Sequence, residues 1–225
     1  MQSTPISDYY NADLLALVPK NATRVVEVGC MSGALAREYL KSTPQCEYVG
    51  VEVDPQYADV ARQWCKRVVV ANIEQMSDVE FASLFPSSCW IFGDVLEHLY
   101  DPWSVLTRIR SRLPSQSSVV ACIPNAQHWS VQARLNCGTF RYEERGLMDR
   151  THIRWFTRTT ILEMFKASGF DVVDGGGVIA DEPLRADALV GVRAMATAIG
   201  ADPDAAAQEA TPLQWIVRAV PSPTL

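Results

Sequence analysis

The sequence predicts one α/β domain, with a Rossmann-like, doubly wound sheet of seven mostly parallel strands and helices on both faces. Three observations predict this fold class. Short β-branched runs alternate with helical patterns, a glycine turn follows the first strand, and the 225 residues are 48% apolar, enough for one substantial core. No internal repeat or long linker divides the sequence, so residues 1–225 are expected to form a single domain.

The predicted strands are short apolar runs, each bounded by a turn or a helix signal. In chain order they are Arg24–Val28, Tyr48–Val53, Arg67–Val70, Cys89–Gly93, Ser118–Ile123, Phe170–Val173 and Leu213–Val220. Asp-Pro pairs at 54–55 and 101–102 predict two helix starts, because Asp is a good N-cap and Pro suits the first helical position. Thr160 and Glu163 form the predicted capping box of a later helix. After the fifth strand, residues 124–157 show no clear strand or long helix and are expected to form an irregular insertion.

Composition excludes several classes of function. The formal net charge of −6 argues against broad nucleic-acid binding, which needs a basic face. No apolar run approaches the ~20 residues of a membrane span. The six cysteines are scattered without a C-x-x-C pair, which is typical of reduced thiols in a cytoplasmic protein, and no Cys or His spacing predicts a metal site. We therefore expect a cytoplasmic protein with no metal.

The turn "VVEVGCMSG" carries the first indication of a ligand. Gly29 and Gly33 allow a tight turn with close backbone approach, and the helix behind them offers free N–H groups. The dinucleotide fingerprint G-x-G-x-x-G fails here, since Met31 occupies a glycine position. Glu27, two residues before the turn, is unfavourable beside a pyrophosphate but suits an ammonium group. S-adenosylmethionine carries an ammonium and a sulfonium and no phosphate.

A second acidic residue strengthens this interpretation. Glu52 ends the second predicted strand, 25 residues after Glu27, where a carboxylate can accept both hydroxyls of a ribose. The alternative is that Glu27 caps backbone amides and that Glu52 is an ordinary surface residue. A nicotinamide-dependent oxidoreductase is a further alternative, and it predicts binding of NAD.

From about residue 8 to 175 the sequence resembles class I S-adenosylmethionine-dependent methyltransferases. "VVEVGCMSG" is similar to their first motif, "GVEVDP" to the second-strand acid, "IFGDVLEHLYDPWSVL" to the fourth-strand motif and "LPSQSSVVACIPN" to the fifth-strand segment. The resemblance is strongest to a bacterial subgroup whose genes often accompany glycosyltransferases. In that subgroup a segment similar to "GTFRYEERGLMDRTHIRWFT" precedes a helix similar to "TILEMFKASGF".

The resemblance and the two acidic residues together imply a set of cofactor-binding residues. They are Tyr10, Glu27, Gly29, Cys30, Met31, Gly33, Glu52, Val53, Asn72, Ile73, Asp94 and Val95. Residues 1–20 are expected to form a lid over the cofactor, with Tyr10 near its methionine carboxylate; simple packing on the sheet is the alternative. Met31 replaces the usual middle glycine, and cofactor binding is expected to survive if the Met31 dihedrals are ordinary. Asn72 stands where an aspartate often follows the third strand, and its amide can still bond near the adenine.

Methyl transfer to a hydroxyl benefits from a general base, and His is the usual one near neutral pH. The chain has three histidines, and all three follow predicted strands or lie in the irregular segment. His152 is the first candidate for the base because the resemblance centres on it, and His98 is the second, with simple packing as its alternative. Asp149 is expected to orient His152 or to act itself. His128 is expected to line the pocket wall.

The irregular segment is rich in arginine and aromatic residues. Residues 124–158 contain six arginines and no lysine, interleaved with tryptophan, phenylalanine and tyrosine. Arginine binds phosphate and carboxylate through two parallel hydrogen bonds. We therefore expect residues 124–157 to bind an anionic glycan or a nucleotide-linked sugar. The expected contacts are Asn125, His128, Tyr142, Arg150 and Arg154. The alternative is a charged outer face over an aromatic mini-core.

These expectations combine into a metal-independent methyltransferase that uses S-adenosylmethionine to O-methylate a sugar hydroxyl. N-methylation of an amino sugar and O-methylation of a small-molecule phenol would use the same scaffold. A protein that binds the cofactor without catalysis, as a partner of another enzyme, is an alternative from a different class.

Overall fold

A computed structural model describes residues 8–223, and a seven-stranded sheet lies at their centre. The strands are β1 (Arg24–Val28), β2 (Glu47–Glu52), β3 (Arg67–Val70), β4 (Cys89–Gly93), β5 (Ser118–Pro124), β6 (Phe170–Val178) and β7 (Gln214–Pro221). Their order in the sheet is β3-β2-β1-β4-β5-β7-β6, and β7 runs antiparallel to both of its neighbours. The predicted fold class is therefore confirmed. Strand order reverses between β1 and β4, which is where ligands bind in sheets of this kind.

The helices cover both faces of the sheet. They are α1 (Ala12–Leu17), α2 (Ala34–Ser42), α3 (Pro55–Ala61), α4 (Asp78–Ala82), α5 (Pro102–Arg110), α6 (Trp129–Asn136), α7 (Arg158–Ala167), α8 (Arg185–Ala198) and α9 (Pro203–Glu209), with a 3₁₀ turn at Leu96–His98. Asp54 and Asp101 cap α3 and α5, and a proline opens each of these helices, as the sequence predicts.

Alternating side chains of the strands form two apolar layers. Along β1, Val26 and Val28 join the layer beneath α5 and α7, whereas Val25 joins the layer beneath α1 and α2. Glu27 shares the Val25 face because side chains alternate along a strand. A buried carboxyl group is thus placed at the carboxyl end of β1, between the sheet and the first two helices.

Two boundaries differ from the sequence prediction by more than one residue. The capping box of α7 is formed by Thr157 and Thr160, so the helix begins one turn earlier than the predicted Thr160–Glu163 pair, and Glu163 lies inside it. β6 extends to Val178 because antiparallel pairing with β7 continues through Gly175–Gly177. Backbone pairing with a neighbouring strand therefore overrides the low strand propensity of glycine.

The insertion after β5 contains one helix, α6, that the sequence analysis did not predict. The His128 side chain caps it by accepting from the Ser130 N–H. The rest of residues 124–157 is mostly irregular, as expected. The two ends of the insertion are joined where the Ala126 N–H donates to the Phe156 carbonyl at 2.7 Å. The insertion is thereby held beside the carboxyl ends of β4 and β5.

The predicted lid, residues 1–20, is described only from residue 8 onward; residues 1–7 lie outside the described part. Asn11 caps α1, and Leu14 is buried against the sheet. Within residues 8–223, no helix combines the length and apolar character needed to cross a membrane.

Candidate active site

The turn between β1 and α2 uses three left-handed residues. The φ angles of Gly29, Met31 and Gly33 are 70°, 46° and 78°. The condition of ordinary dihedrals at Met31 is not met: its backbone adopts the left-handed conformation that favours glycine, which costs a residue with a Cβ about 1 kcal/mol. The side chain of Met31 is 42% exposed and lines the cleft above the turn.

The two glycines of the turn have different roles. A Cβ on Gly29 would lie 2.6 Å from Cγ2 of Val95. The turn and the loop that follows β4 therefore approach each other this closely only because residue 29 is glycine. A Cβ on Gly33 would meet the backbone of Ala61 at 3.1 Å and Trp64 at 3.3 Å. Gly33 therefore allows α2 to pack near the end of α3. Unlike the other predicted cofactor residues, it lines none of the three cavities along the carboxyl ends of β1, β2 and β4.

Glu27 is buried behind the turn. One of its carboxyl oxygens accepts a hydrogen bond from the Tyr48 hydroxyl at 2.9 Å. Burial raises the pKa of Glu27 to about 8, and the bond from Tyr48 opposes this shift only in part. Without a ligand, the Glu27 carboxyl group therefore holds a proton at neutral pH. A cationic ligand group beside it would favour the charged form.

Glu52 links the end of β2 to the turn. Its Oε2 accepts from the backbone N–H of Met31 at 2.8 Å, and its Oε1 accepts from Val53 and Asp54 at 2.8 and 3.0 Å. Glu52 is 5% exposed and is therefore not the surface residue of the alternative interpretation. Each carboxylate oxygen has two acceptor positions, so the group retains capacity to accept from a ribose hydroxyl.

Three cavities meet along the carboxyl ends of β1, β2 and β4. The turn cavity, of about 160 Å³, is lined by Tyr10, Glu27, Gly29, Cys30, Met31 and neighbours. The β2 cavity, of about 310 Å³, is lined by Gly29, Glu52, Val53, Asn72, Ile73, Val95 and neighbours. The histidine cavity, of about 400 Å³, is lined by Asp94, His98, Pro124, Gly146, Leu147, Asp149, His152, Leu213 and Gln214.

Asp94 lines all three cavities. Its φ is 54°, so it too is left-handed, and its Oδ1 accepts from the side-chain amide of Gln214 at 2.5 Å. Solvent reaches Asp94 through the cleft, but protein surrounds it on its other sides, and this burial raises its pKa to about 6. Gln214 was not among the predicted site residues, because its position depends on β7 pairing antiparallel to β5.

His98 and His152 come together although 53 residues separate them. Their rings lie edge to face with centroids 4.8 Å apart. The backbone N–H groups of Ile153 and Arg154 donate to the Glu97 carbonyl at 3.0 and 2.9 Å, which holds the insertion against the 3₁₀ turn. Burial lowers the pKa of His152, and the charge of the nearby His98 lowers it further. The structure thus places both candidate bases in one cavity beside Asp94.

Glu97 is a site residue that the sequence analysis missed, although its place beside His98 in "LEHL" was a usable signal. It is 1% exposed, and its Oε1 lies 4.0 Å from Nε2 of His98 and 3.9 Å from Nε2 of His152. Burial raises the pKa of Glu97 well above its ordinary value, and the charge of Asp94 adds to this shift.

Asp149 lines the same cavity without a hydrogen bond to the His152 ring among residues 8–223. Its Oδ1 accepts from the backbone and the hydroxyl of Thr151 at 2.8 and 2.6 Å. Burial alone would raise the pKa of Asp149, but these hydrogen bonds outweigh it and lower the pKa. The ring of His152 is instead oriented by the Leu147 carbonyl, 3.3 Å from its Nδ1.

Two of the predicted acceptor contacts hold loops together. The side-chain amide of Asn125 donates to the carbonyls of Glu209 and Pro212, both at 2.8 Å. His128 is fully buried, and its Nε2 lies 3.2 Å from Glu182, a residue of the loop before α8. Burial lowers the pKa of His128, and Glu182 opposes this shift.

None of the five predicted acceptor contacts is among the residues that line the histidine cavity, and this includes His128, which was expected in the pocket wall. Tyr142 is 65% exposed, and Arg150 is exposed and paired with Glu144. Arg154 donates to the Tyr100 carbonyl, and its guanidinium carbon lies 5.6 Å from the centre of the Trp103 ring. All three side chains are exposed.

The sequence matches the family model described as a methyltransferase domain over residues 6–174, which is most of the chain. The chain belongs to this family. The expectation of a methyltransferase of this class is thereby confirmed, and the cleft described above is its candidate active site. A search of curated proteins finds no significant match to this methyltransferase.

Solved structures with the same fold include several methyltransferases. Magnesium protoporphyrin IX methyltransferase from Synechocystis PCC 6803, with bound S-adenosylhomocysteine, aligns with a TM-score of 0.58 and 12% identity over 93% of this chain and 78% of that one. The plantazolicin methyltransferase BpumL, also with S-adenosylhomocysteine, aligns with a TM-score of 0.58 and 12% identity over 93% and 80%. The O-methyltransferase NcsB1 from neocarzinostatin biosynthesis aligns with a TM-score of 0.53 and 14% identity over 96% and 52%. This methyltransferase thus spans about half of the NcsB1 chain, and at these identities the similarity shows the fold.

Proposed function

We propose that this methyltransferase transfers the methyl group of S-adenosylmethionine to a hydroxyl of a sugar, in a glycan or a nucleotide-linked sugar. The observation that carries the proposal is the meeting of three cavities at Asp94. Two of them are lined by the residues expected to bind the cofactor, and the third holds both candidate bases.

The residues of the first two cavities fit S-adenosylmethionine. Glu27 offers a buried carboxyl group to an ammonium, and Gly29 lets the backbone approach the ligand closely. Glu52 retains acceptor capacity for ribose hydroxyls, and Asn72 and Ile73 line the end of the β2 cavity that suits an adenine. The bound cofactor supplies an already activated methyl group, so the main task of the protein is to position the acceptor.

The histidine cavity supplies a proton acceptor. His152 Nε2 is proposed to take the hydroxyl proton, with His98 as the second candidate. The Leu147 carbonyl near Nδ1 of His152 holds that ring nitrogen protonated and leaves Nε2 free to accept. The imidazolium that forms would favour the charged form of the Glu97 carboxyl group, 3.9 Å from Nε2, and that carboxylate would in turn stabilise the imidazolium.

A series of aromatic rings extends from His152 to the protein surface and suits a sugar acceptor. Trp155 lies 6.1 Å from His152, Phe140 lies 5.5 Å from Trp155, and Tyr142 lies 6.3 Å from Phe140 between ring centroids. Aromatic faces can stack on the apolar faces of sugar rings. The exposed Arg150 on the same insertion supports an anionic group on the acceptor.

The proposal is tested by incubating the purified protein with methyl-labelled S-adenosylmethionine and a panel of nucleotide sugars, amino sugars, oligosaccharides and phenols. Mass spectrometry of the products locates the methyl group, and S-adenosylhomocysteine formation gives the rate. We expect turnover with a sugar hydroxyl and its loss in His152→Asn. Turnover restricted to phenols or to amino-sugar nitrogens would contradict the proposed acceptor. Cofactor binding without turnover on any acceptor would favour the non-catalytic alternative.

A further inference from the structure

The cluster of Glu97, His98 and His152 has a feature that a simple proton acceptor does not require. Both carboxyl oxygens of Glu97 are buried, and neither has a hydrogen-bond partner within the described part of the chain. Buried polar groups are almost always paired, so two unpaired oxygens on one buried carboxyl group indicate a missing ligand.

The rings of both histidines are oriented toward this carboxyl group. Nδ1 of His98 lies 3.0 Å from the Thr151 carbonyl, and Nδ1 of His152 lies 3.3 Å from the Leu147 carbonyl. Because a carbonyl oxygen only accepts, Nδ1 carries the proton in each neutral ring, and Nε2 presents a lone pair. This use of the outer nitrogen is typical of histidines that bind metals.

Three acceptor atoms therefore converge. Oε1 of Glu97 and the two Nε2 atoms all lie within 4.8 Å of one another. The distances from Glu97 Oε1 to the two nitrogens, 4.0 and 3.9 Å, are too long for a shared proton. Ligand atoms about 2.1 Å from a tetrahedral metal ion lie about 3.4 Å apart, so the two distances from Glu97 Oε1 would shorten by about half an ångström. The two Nε2 atoms, which lie within 4.8 Å of each other, would approach by up to about 1.4 Å.

We propose that Glu97, His98 and His152 bind one divalent metal ion through Oε1 and the two Nε2 atoms. Two imidazoles and one carboxylate favour zinc, iron(II), cobalt or manganese over magnesium, which prefers oxygen ligands. The expectation from sequence was a metal-free protein, because His98 and His152 are too far apart in the chain to suggest a site.

The site would have a role in the reaction. Two of its three proposed ligands, His98 and His152, line the histidine cavity, so an acceptor hydroxyl in that cavity would lie beside the ion. A hydroxyl held by the ion would lose its proton more easily, and that proton would pass to the Asp94 carboxylate, which lines the same cavity. The alkoxide oxygen would then form the bond to the methyl carbon as the carbon–sulfur bond of the sulfonium breaks, which leaves S-adenosylhomocysteine. This role rests on the proposed methyl transfer, whereas metal binding itself does not. When the ion is bound, His152 is one of its ligands and cannot also be the free base.

The binding test uses metal-stripped protein titrated with Co²⁺ and, separately, Zn²⁺. Calorimetry gives stoichiometry and affinity, and the visible absorption of Co²⁺ reports nitrogen ligation. We expect one ion per chain and at least a 100-fold loss of affinity in Glu97→Gln. Glu144→Gln is the matched control, since Glu144 is an exposed carboxylate on the insertion that also carries His152. This variant should bind the ion as the parent protein does.

His98→Gln provides the second variant, because His98 is partly exposed and its substitution is less disruptive if Glu97→Gln does not fold. It should weaken binding by 10-fold or more. The absence of saturable binding, or binding that survives both substitutions, would overturn the site. Methyl transfer that is equally fast in stripped and metal-loaded protein would overturn the activating role and leave His152 as the base. Failure to find an acceptor would not affect the binding result.

Discussion

Glu52 Oε2 accepts the backbone N–H of Met31 at 2.8 Å, and this bond ties the end of β2 to the turn after β1. The same turn holds Met31 in a left-handed conformation, with φ at 46°. A buried carboxylate that lines the β2 cavity thus fixes a strained residue that lines the turn cavity. The bond explains how a methionine is retained where glycine would be the less strained choice.

Replacing Met31 with glycine should stabilise the fold. The left-handed backbone is free of strain in glycine, and we expect the Met31→Gly protein to be more stable by about 1 kcal/mol, as measured by urea unfolding. Met31→Ala is the control, since it removes the side chain and keeps the strain. A glycine variant no more stable than the alanine variant would show that the turn is not strained.

Glu52→Gln should weaken both the turn and the binding of S-adenosylhomocysteine. The amide replaces one acceptor oxygen by a donor, so at least one of the N–H groups of Met31, Val53 and Asp54 loses its partner, at a cost of about 1–3 kcal/mol. Calorimetry should show at least 10-fold weaker binding. Glu47→Gln is the control at the other end of β2, where the carboxylate is half-buried and paired with Arg24. Equal affinities of the two variants would exclude Glu52 from the cofactor site.

The buried Glu27 should make stability fall as pH rises. Its pKa is raised from 4.5 to about 8, so between these values the folded chain holds a proton that the unfolded chain has lost. Its contribution to stability is complete below pH 4.5 and is lost as pH rises through about 8, with a slope of roughly 1 kcal/mol per pH unit.

Comparison with Glu27→Gln isolates this contribution, because the amide does not titrate. As pH rises, the unfolding free energy of the parent protein should fall relative to that of the Glu27→Gln variant. Saturating S-adenosylhomocysteine should flatten the slope, since its ammonium favours the charged carboxylate. A difference independent of pH would show that Glu27 is not protonated in the folded state.

The architecture could be predicted because its signals are local. The strand runs, the Asp-Pro helix starts and the glycine turn each depend on a few neighbouring residues, and all of them are found in the structure. The errors at β6 and α7 arose where a non-local partner or a neighbouring capping residue decided the boundary. The predicted sixth strand ended at Val173, yet β7 pairs with the chain through residues 175–177 and on to Val178.

The site was less predictable, because it depends on how distant segments meet. The motif carrying Glu97 and His98 and the insertion carrying His152 are joined by backbone bonds to the Glu97 carbonyl, which no sequence pattern encodes. Residue type alone was also a poor guide to the acceptor contacts. Asn125 and His128 are polar and lie at the sheet edge where ligands are expected, but their side chains hold the loops near Glu209 and Glu182.

His152→Asn should lower kcat by at least about 100-fold, the usual range for loss of a positioned acid–base or metal-binding group. His98→Asn should have a smaller effect if His152 alone is the base, and an equal effect if both are ligands of one ion. Steady-state rates measured with saturating S-adenosylmethionine decide between these outcomes. Lys166→Ala, which removes an exposed ion pair between α7 and Asp171 of β6, is the control and should retain the parent rate.

Arg150→Ala should raise the KM for an anionic acceptor by about 10-fold and leave the affinity for S-adenosylhomocysteine unchanged. Arg150 is exposed on the insertion, and its one ion pair within residues 8–223 is with the exposed Glu144, so its guanidinium can exchange that partner for a phosphate or carboxylate of the acceptor. Arg62→Ala, which removes an exposed ion pair with Asp59 on α3, is the matched control. If both variants show the same KM, the arginines of the insertion form a charged outer face and do not recognise the acceptor.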